Sequence, residues 1–337
     1  MIARPHDPAD MLTQVAAVAY DEKATCPRYL DCVATWMGGD ADKIEYLQRL
    51  GGYCLIGGNP ARAFPVWYGA GRNGKSVNAD TWRGLMGDYA TVAPRGFLAQ
   101  KFTDEHPCEL ATLRGKRLVV ASETRPNMEL SVDLVKLMTG ESTMTARFMR
   151  QDYFQFKVTH KVILMTNTLP VIRDTSDSIW DRVQLLEWPV RIPDNQVDTQ
   201  LGDKLRAEWP GILNWLLEGT RKVQADGWDL KPPAVVRAAT QQYRVDSDTL
   251  GRFADECLIL DDPALTTPVR QLRKVYDEWA EANCEAAKMP ARVFNAWFRQ
   301  KGKRDGNKKI GGKAAKCWFG VGLHQEAVTV SNGNQEL

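Results

Sequence analysis

The spacing of apolar and polar residues changes along the chain and separates helical regions from strand-like ones. Residues 9–55 carry apolar side chains at helical intervals, as at Ile44, Leu47 and Leu50, so we predict helices throughout this segment. Between residues 64 and 189, short apolar runs alternate with polar or helical stretches. Such runs, bounded by loops, are typical of buried strands in a mostly parallel sheet. The sequence therefore predicts an α/β fold with a helical N-terminal segment.

Four apolar runs are the expected core strands, and one nearby segment has a different pattern. The predicted strands are residues 64–68, 117–121, 161–166 and 183–188. In residues 143–158, β-branched and aromatic residues flank a polar break at Arg150, which predicts a hairpin that projects from the sheet. We expect the tip of this hairpin to be basic and exposed.

The last third of the chain is helical again and ends in a basic region. Residues 261–268 contain Asp-Asp-Pro and Thr-Thr-Pro, which favour a linker. Residues 269–283 and 290–301 have the spacing of two amphipathic helices, followed by a lysine- and glycine-rich stretch. Two helices and a basic wing are typical of a DNA-binding winged helix-turn-helix. We predict a helical lead-in (1–55), an α/β core (56–200), a helical extension with a linker (201–262), a winged-helix domain (263–325) and a disordered tail (326–337).

Composition excludes some classes of protein. Of the 337 residues, 44% are hydrophobic and 26% are charged, and no apolar run reaches the roughly 18 residues that span a membrane. The seven cysteines form no C-x-x-C pair, and the four histidines lie far apart. This usage suits a reducing compartment and indicates no zinc cluster. We therefore expect a cytoplasmic protein without a membrane partner.

The net charge of +2 conceals a strongly basic segment. Residues 288–316 contain ten Lys or Arg residues and one acidic residue, Asp305. Such a local excess is expected where a protein binds a polyanion, and Lys308 and Lys309 are candidate DNA contacts. The alternative is a basic surface that is only solvated.

A glycine-rich loop follows the first predicted strand. Residues 69–76 fit the pattern G-x-x-x-x-G-K-[ST], in which backbone N–H groups hold phosphates and the hydroxyl binds Mg²⁺. They also fit G-x-G-x-x-G, but Lys75 and Ser76 favour a triphosphate, because a pyrophosphate on a helix N-terminus needs neither group. A glycine turn beside a surface lysine is the simpler alternative. We predict that ATP and Mg²⁺ bind at Gly69, Ala70, Gly71, Arg72, Asn73, Gly74, Lys75, Ser76 and Val77.

Three polar side chains lie at the ends of the later strands. Glu123 follows the second strand, where a carboxylate beside the γ-phosphate can activate a water for in-line attack. Asn167 follows the third strand and can hold that water or sense the γ-phosphate, although taken alone it is better explained as a turn residue before proline. Arg182 precedes the fourth strand, where it can reach the nucleotide of a neighbouring subunit or form a structural ion pair.

Taken in order, these motifs resemble superfamily 3 helicases, a branch of the AAA+ ATPases with a phosphate-binding loop. The likeness is greatest to the helicase half of phage and plasmid primase–helicases and to the related poxvirus protein. It extends from about Tyr29 to about Trp297 and rests on the motifs at residues 69–76, 85–90, 115–123, 136–142, 145–151, 165–170 and 178–182.

The resemblance implies roles for the matching residues. Lys75 and Ser76 would hold phosphate and Mg²⁺, Glu123 would be the catalytic carboxylate and a metal ligand, and Asn167 would be the polar sensor. Arg182 would be the arginine finger, and Lys136 would approach the nucleotide across a subunit boundary. The predicted hairpin at residues 143–158 would line a central pore and contact single-stranded DNA through Arg147, Arg150 and Gln151. Lys157 and Lys161 would add to the phosphate path.

The implied function is that of an ATP-hydrolysing helicase or translocase in phage- or plasmid-type DNA replication. The family implies a ring of six subunits, single-stranded or forked DNA as partner, and the cytoplasm of a bacterial host. There is no room for a primase domain before Tyr29, so we expect a separate chain to supply any priming. One departure is Ser122, because many relatives carry two adjacent acids here; Mg²⁺ would then depend on Ser76, phosphates and water.

Two other functions remain open from the sequence. A replication initiator or loader would use ATP as a conformational switch without processive unwinding, which the basic segment and Ser122 favour. A small-molecule kinase would use the same loop with a lid and an acceptor pocket, but it leaves the hairpin and the basic segment unexplained.

Overall fold

The computed structural model describes residues 4–101, 107–123, 128–283 and 289–324. These residues form two compact units, Met1–Arg244 and Val245–Leu337. The domain boundaries expected after residues 55, 200 and 262 stay predictions. The tail at 326–337 lies outside the described residues.

The first unit contains a central sheet and its surrounding helices. Its elements are α1 (Pro27–Trp36), α2 (Ala41–Cys54), β1 (Phe64–Tyr68), α3 (Lys75–Met86), β2 (Ala90–Val92), α4 (Pro107–Ala111), β3 (Leu118–Glu123), α5 (Val132–Gly140), β4 (Thr143–Ala146), β5 (Phe154–Lys157), β6 (Lys161–Thr166), α6 (Asp177–Trp180), β7 (Val183–Glu187), α7 (Leu201–Ala207), α8 (Trp209–Ala225) and α9 (Ala234–Ser247), which includes the division at residue 244.

Five parallel strands form the central sheet in the order β2-β3-β6-β1-β7. Thr166 of β6 pairs with Tyr68 of β1 and with Glu123 of β3, so the carboxyl ends of these strands meet at one edge of the sheet. After β1, the chain crosses to β2 at one edge of the sheet, so β3 and β6 lie between β2 and β1. Strand β7 pairs with the opposite side of β1 and forms the other edge. Ligands of parallel sheets bind where the strand order reverses in this way. The predicted α/β class with a mostly parallel sheet is confirmed.

Alternate residues of β1 enter two separate hydrophobic clusters. Phe64 and Val66 belong to one cluster, and Trp67 belongs to the other together with Trp82 and Trp188. Successive side chains of a strand point to opposite faces, so β1 is covered on both sides. This burial holds the loop that follows β1 on a rigid support.

The N-terminal segment differs from the prediction of helices throughout residues 9–55. Only α1 and α2 are α-helices there, and residues 11–26 contain no helix. Instead, the Ala17 N–H donates to the Leu85 carbonyl (3.0 Å) and the Val15 N–H donates to Asp88 (3.2 Å). Partners from α3 and the turn after it satisfy this backbone, which the local apolar spacing could not indicate.

The hairpin predicted over residues 143–158 is confirmed. Strands β4 and β5 pair antiparallel, with Thr143 opposite Lys157 and Ala146 opposite Phe154. Met144 and Ala146 are buried, whereas the side chains of the connecting residues 147–153 are exposed. One face of the hairpin therefore packs on the protein, and its tip lies in solvent.

The second unit contains helices and short antiparallel strands. Its elements are α10 (Thr249–Cys257), β8 (Leu258–Ile259), β9 (Thr266–Pro268), α11 (Val269–Ala282), α12 (Ala291–Gln300), β10 (Arg304–Ile310), β11 (Lys313–Phe319) and β12 (Gly322–Leu323). Helices α11 and α12 confirm the two helices predicted here. Residues 266–268 are not a linker, because they pair with β11 and form a sheet of order β10-β11-β9. Phe253, Tyr276 and Trp318 are buried in the core of this unit.

Among the residues that the structure describes, no helix has both the length and the apolar character needed to cross a bilayer.

Candidate functional site

The loop between β1 and α3 has a backbone that requires glycine. Gly71 and Gly74 have φ angles of 95° and 88°, in the region that favours glycine. Space is also restricted, because a Cβ atom at Gly74 would overlap the ring of Trp36, and one at Gly69 would overlap the Asn73 amide. Backbone conformation and close packing therefore both require glycine in this loop.

The side chain of Lys75 lies beneath the loop and is only 5% exposed. Its Nζ atom donates to the carbonyl of Gly69 (2.6 Å) and to the Oδ1 atoms of Asn73 and Asn167 (both 3.2 Å). Burial lowers the pKa of Lys75 to about 8. These three partners are neutral oxygens, so the ammonium charge is available to an incoming anion.

The other predicted loop residues surround this lysine. Asn73 is buried and donates to the carbonyl of Trp188 (3.2 Å). Ala70 is exposed, and exposed Arg72 forms an ion pair with Asp194. Helix α3 begins at Lys75 after Gly74, which provides no side-chain cap, so the first amides of the helix face the loop without one.

Asn167 and Glu123 lie at the same edge of the sheet as the loop. Asn167 directly follows β6 and reaches Lys75, whereas Glu123 is the last residue of β3. Because Glu123 pairs with Thr166, one strand spacing of about 4.8 Å separates these two strand ends. The Glu123 carboxylate is buried and accepts a hydrogen bond from the Gly96 N–H (2.9 Å). The sequence indicated the carboxylate but not this amide partner.

The oxygen ligands at this edge suit a magnesium ion that keeps other ligands. Ser76 lies exposed in the first turn of α3, and Glu123 ends β3. Within the described part of the chain, no group of three or more His, Cys, Asp or Glu side chains is arranged to hold a metal ion. A hydroxyl and one carboxylate fit Mg²⁺, which usually takes few protein ligands and retains waters and phosphates.

Arg182 lies at the opposite end of the sheet and contacts α5, the helix that also carries Lys136. The Phe64 N–H, at the start of β1, donates to the Arg182 carbonyl (2.7 Å), and the Arg182 Nε donates to Thr139 of α5 (3.0 Å). Lys136, one turn earlier on α5, pairs with Asp174 (2.7 Å). At about 3.3 Å per residue, the length of β1 separates Arg182 from the loop by roughly 16 Å. Within one chain, Arg182 is therefore not part of the site around Lys75, and Lys136 is paired with Asp174.

The residues predicted to contact DNA on the hairpin are exposed. Arg147, Arg150 and Gln151 lie in the tip, and Lys157 lies on β5. Arg150 has a φ angle of 60°, an unusual value for a residue other than glycine. The hairpin therefore presents these side chains to solvent.

Lys161, expected to extend the DNA contact, is placed elsewhere. It is fully buried at the start of β6, donates to the Ile56 carbonyl, and lies 4.7 Å from the centre of the Tyr53 ring. Burial is the main reason that its pKa falls to about 7, and nearby Arg117 lowers it further. The expectation that Lys161 contacts phosphate is wrong, because its amine is enclosed by the core.

Lys308 and Lys309 lie on β10 in the second unit. Both are exposed, and the Lys308 Nζ donates to the Thr266 hydroxyl (3.0 Å). Strands β10 and β11 form an antiparallel hairpin with Ile310 opposite Lys313 at its end. The hairpin thus carries three lysines near its tip.

A cavity of about 700 Å³ adjoins the loop, and the sequence did not indicate it. Its apolar lining includes Cys32 and Trp36 of α1, Val77 of α3, and Ile192 and Leu201 of the segment after β7. Asp31, Asp194 and Gln196 supply polar groups, and Gly74 borders the cavity. An apolar cavity of this volume with a few polar groups is typical of small-molecule sites. Its residues belong to no short motif, so only the fold brings them together.

Comparison with known proteins identifies a family model for the middle of the chain. Residues 67–182 match a model described as a family of unknown function (DUF5906). The matched segment begins in β1 and ends at Arg182, so it includes the loop, Glu123, the β4–β5 hairpin and Asn167.

Several viral proteins are similar to the chain over a greater length. "Putative helicase L207/L206" of Acanthamoeba polyphaga mimivirus is 26% identical over 299 residues, which cover 83% of this chain and 31% of the relative. "Putative helicase 022R" of Frog virus 3 is 25% identical, over 68% of this chain and 25% of the relative. "Putative primase C962R" of African swine fever virus is also 25% identical, over 65% of this chain and 25% of the relative. The chain thus spans about a third or less of these relatives.

A solved structure, the apo structure of the NrS-1 C-terminal region, has a similar fold. It superposes with a TM-score of 0.50 at 12% identity, covering 91% of this chain and 78% of that one. At this identity, the likeness concerns the fold alone. The sequence comparisons relate the chain to proteins of large DNA viruses that are named as helicases and primases.

Proposed function

We propose that this chain is the ATP-hydrolysing motor of a ring-forming DNA helicase of the superfamily 3 AAA+ class, acting in DNA replication. The contact between Lys75 and Asn167 carries the proposal. It joins the cation of a phosphate-binding loop to a polar residue on the adjacent strand end, and Glu123 ends the next strand. The helicase and primase names of the viral relatives support the same class of reaction.

The loop and the adjoining cavity would bind different parts of the nucleotide. The amides of residues 69–76 and the Lys75 ammonium would bind the phosphates, and the cavity beside Trp36 and Val77 would hold the nucleoside. Ser76, with Glu123 nearby, would hold Mg²⁺, which neutralises charge on the outer phosphates when it is bound. The buried, neutral surroundings of Lys75 support this assignment, since a triphosphate supplies the missing negative charge.

Glu123 would serve as the general base for hydrolysis. Its carboxylate orients a water, accepts one proton as the water oxygen attacks the γ-phosphorus, and ADP leaves as the terminal P–O bond breaks. The hydrogen bond from Gly96 holds one carboxylate oxygen in place at this edge of the sheet. Asn167 would hold the same water or the γ-phosphate through its amide.

Arg182 would act on the nucleotide of a neighbouring subunit. Its place at the far end of β1 leaves it out of reach of the loop in its own chain, which supports a role in trans. Lys136 lies on the same side of α5 and would join it at the subunit boundary. Head-to-tail contacts of this kind close into a ring, and the family implies six subunits.

Two exposed hairpins would contact DNA. Arg147, Arg150, Gln151 and Lys157 of the β4–β5 hairpin would contact a single strand inside the ring. In the second unit, helices α11 and α12 with the β10–β11 hairpin would form a winged helix, in which Lys308 and Lys309 contact duplex phosphates.

ATP hydrolysis with and without a single-stranded oligonucleotide tests the proposal. We expect DNA to stimulate hydrolysis by an oligomer, whose mass is measured in the same buffer. Glu123→Gln should lower the rate at least about 100-fold. Glu187→Gln is the matched control, because Glu187 is an exposed glutamate that ends β7 at the same edge of the sheet, and it should leave the rate unchanged. A monomer that hydrolyses ATP without regard to DNA, or a fully active Glu123→Gln, would overturn the proposal.

A replication initiator or loader is the second candidate function. The lysine-rich β10–β11 hairpin favours it, because a duplex-binding module suits a protein that recognises an origin. Strand displacement on a forked duplex separates the two functions. A motor unwinds many base pairs for each binding event, whereas a switch needs ATP but does not unwind processively.

A further inference from the structure

The tip of the β4–β5 hairpin exposes three large side chains within six residues. Met149 is 77% exposed, Tyr153 is 61% exposed and Phe148 is 41% exposed. Single exposed apolar residues are ordinary on protein surfaces, but a group at the tip of a projecting hairpin suggests a binding surface. We call Phe148, Met149 and Tyr153 the tip patch.

The exposed ring of Phe148 is held in place by a row of aromatic side chains. Phe148 stacks on Phe154, with ring centres 5.3 Å apart and planes 23° apart, and Phe154 lies 6.0 Å from Phe156. Phe156 is buried in the hydrophobic cluster that also contains Phe64 and Val66. The row therefore connects the tip to the core, so ring exposure there is part of the folded arrangement.

Cations surround these rings. The Arg147 guanidinium lies 5.0 Å from the Tyr153 ring centre, and the Arg114 guanidinium lies 5.3 Å from that of Phe154. Arg150 is exposed at the turn with a left-handed backbone, and Asp152 is the acidic residue of the tip. A strained backbone at a residue that could be glycine is a common mark of a functional side chain.

This combination identifies the kind of partner. Flat rings among positive charges complement a chain that alternates bases with phosphates. An intact duplex keeps its bases stacked on one another, so only a single strand offers base faces to the tip patch. Base stacking on aromatic side chains is a general mode of single-strand binding and tolerates every base.

We propose that Tyr153 and Phe148 stack on unpaired bases of single-stranded nucleic acid while Arg150 contacts the adjoining phosphate. This inference rests on the proposed function, in which the hairpin meets a single strand, and adds that the hairpin holds the bases as well as the backbone. Such a contact would bind a single strand of any base sequence.

Paired oligonucleotides test the proposal with the full chain. One is a fluorescein-labelled 15-residue oligo-dT, and the other is an abasic strand of equal length that keeps the sugars and phosphates but has no bases. From the usual contribution of one stacked base, we expect anisotropy titration to show oligo-dT binding about tenfold tighter. Tyr153→Leu should remove most of that preference by weakening oligo-dT alone. Arg150→Gln should weaken both strands equally.

Tyr20→Leu is the control, because Tyr20 is an exposed tyrosine (47%) far from the hairpin in sequence, and it should retain the preference. Equal binding of both strands by the wild type, with hydrolysis still stimulated by DNA, overturns base stacking but leaves the motor intact. Failure to bind either strand overturns both proposals. A change in oligomer mass in Tyr153→Leu without loss of the oligo-dT preference would assign the tip patch to contact with a second copy of the chain, and would overturn the inference.

Discussion

The loop at residues 69–76 and the hairpin at residues 143–157 carry the main cations of the proposed function, but their surroundings are opposite. Lys75 is 5% exposed and has three oxygen partners from its own chain. Arg150 and its neighbours at the hairpin tip lie in solvent. Contacts with the core of the protein shape the loop, whereas the side chains at the tip are exposed to solvent and, under the proposed function, would contact DNA.

The two regions differ in what determines the positions of their functional side chains. The loop conformation is determined by contacts that the chain supplies, so the positions of Lys75 and Asn167 follow from the fold. At the tip, Phe148, Met149 and Tyr153 remain exposed to solvent, so under the proposed function a partner would complete their contacts. Substitutions that change side-chain size or backbone conformation should therefore impair the loop. Substitutions that remove a charge or an aromatic ring should impair the tip.

The strongest test of this contrast is Gly74→Ala. We expect it to destabilise the protein by roughly 2 to 5 kcal/mol, because alanine is strained at a φ of 88° and its Cβ would overlap Trp36. Nucleotide binding should be lost as well. Urea unfolding and titration with a fluorescent ATP analogue measure the two effects.

Gly58→Ala is the matched control. Gly58 has a φ of 82°, but a Cβ atom there would meet nothing within 4 Å. It should therefore show the cost of backbone strain alone, about 1 kcal/mol. If both variants lose equal stability, the contact with Trp36 does not shape the loop.

A second test concerns two lysines that lie four residues apart at the base of the hairpin. Buried Lys161 has a pKa of about 7 in the folded protein, below its ordinary 10.5. The unfolded chain therefore binds more protons than the folded chain between these values, so stability should rise with pH. We expect a contribution of roughly 2 kcal/mol between pH 7 and 9, which Lys161→Met removes.

Lys157→Met provides the comparison, because Lys157 is exposed on β5. Its stability should follow the wild-type pH dependence, as measured by urea unfolding at several pH values. Parallel curves for the wild type and Lys161→Met would mean that the buried amine keeps its proton. Cys54 and Arg117, which also act on Lys161, are unchanged in both variants.

The smallest expected effect is a difference in pH dependence between ATP binding at Lys75 and DNA binding by the hairpin arginines. Because burial lowers the pKa of Lys75 to about 8, free protein loses that proton above pH 8 and should bind ATP more weakly, by up to about tenfold per pH unit. Binding should take up at most one proton, measurable by calorimetry in buffers of different ionisation enthalpy. Lys75→Arg remains charged and should lack this dependence. DNA binding through the hairpin arginines should lack it too, and an equal pH dependence of both ligands would contradict the contrast.

The sequence was most informative where local pattern and chemistry agree. Strands β1 and β6 begin and end as predicted, because a short apolar run fully buried in a parallel sheet has sharp ends. The sequence predicts that Glu123 and Asn167 lie at strand ends, because polar residues end such runs, and the structure places both there. The hairpin was visible from its β-branched and aromatic residues around a polar break.

What the sequence could not indicate depends on contacts between distant segments. Lys161 looks like any lysine beside a strand, and only the fold encloses it against Tyr53. The segment before α1 has apolar residues at helical spacing, yet α3 provides its backbone partners. Trp36 and Ile192 form one cavity although more than a hundred and fifty positions separate them.

The length of β1, which separates the loop from Arg182, has a consequence for the number of complete ATP sites in an assembly. The loop follows β1 and Arg182 precedes β7, so under the proposed function each subunit would offer half a site at each end of the sheet. Under the proposed function, an open row of subunits leaves one loop and one arginine unmatched at its two ends, so complete sites are one fewer than subunits. Closure removes that shortfall and makes the two numbers equal. Under the proposed function, a strand of five residues would thereby make full ATPase capacity depend on a closed assembly.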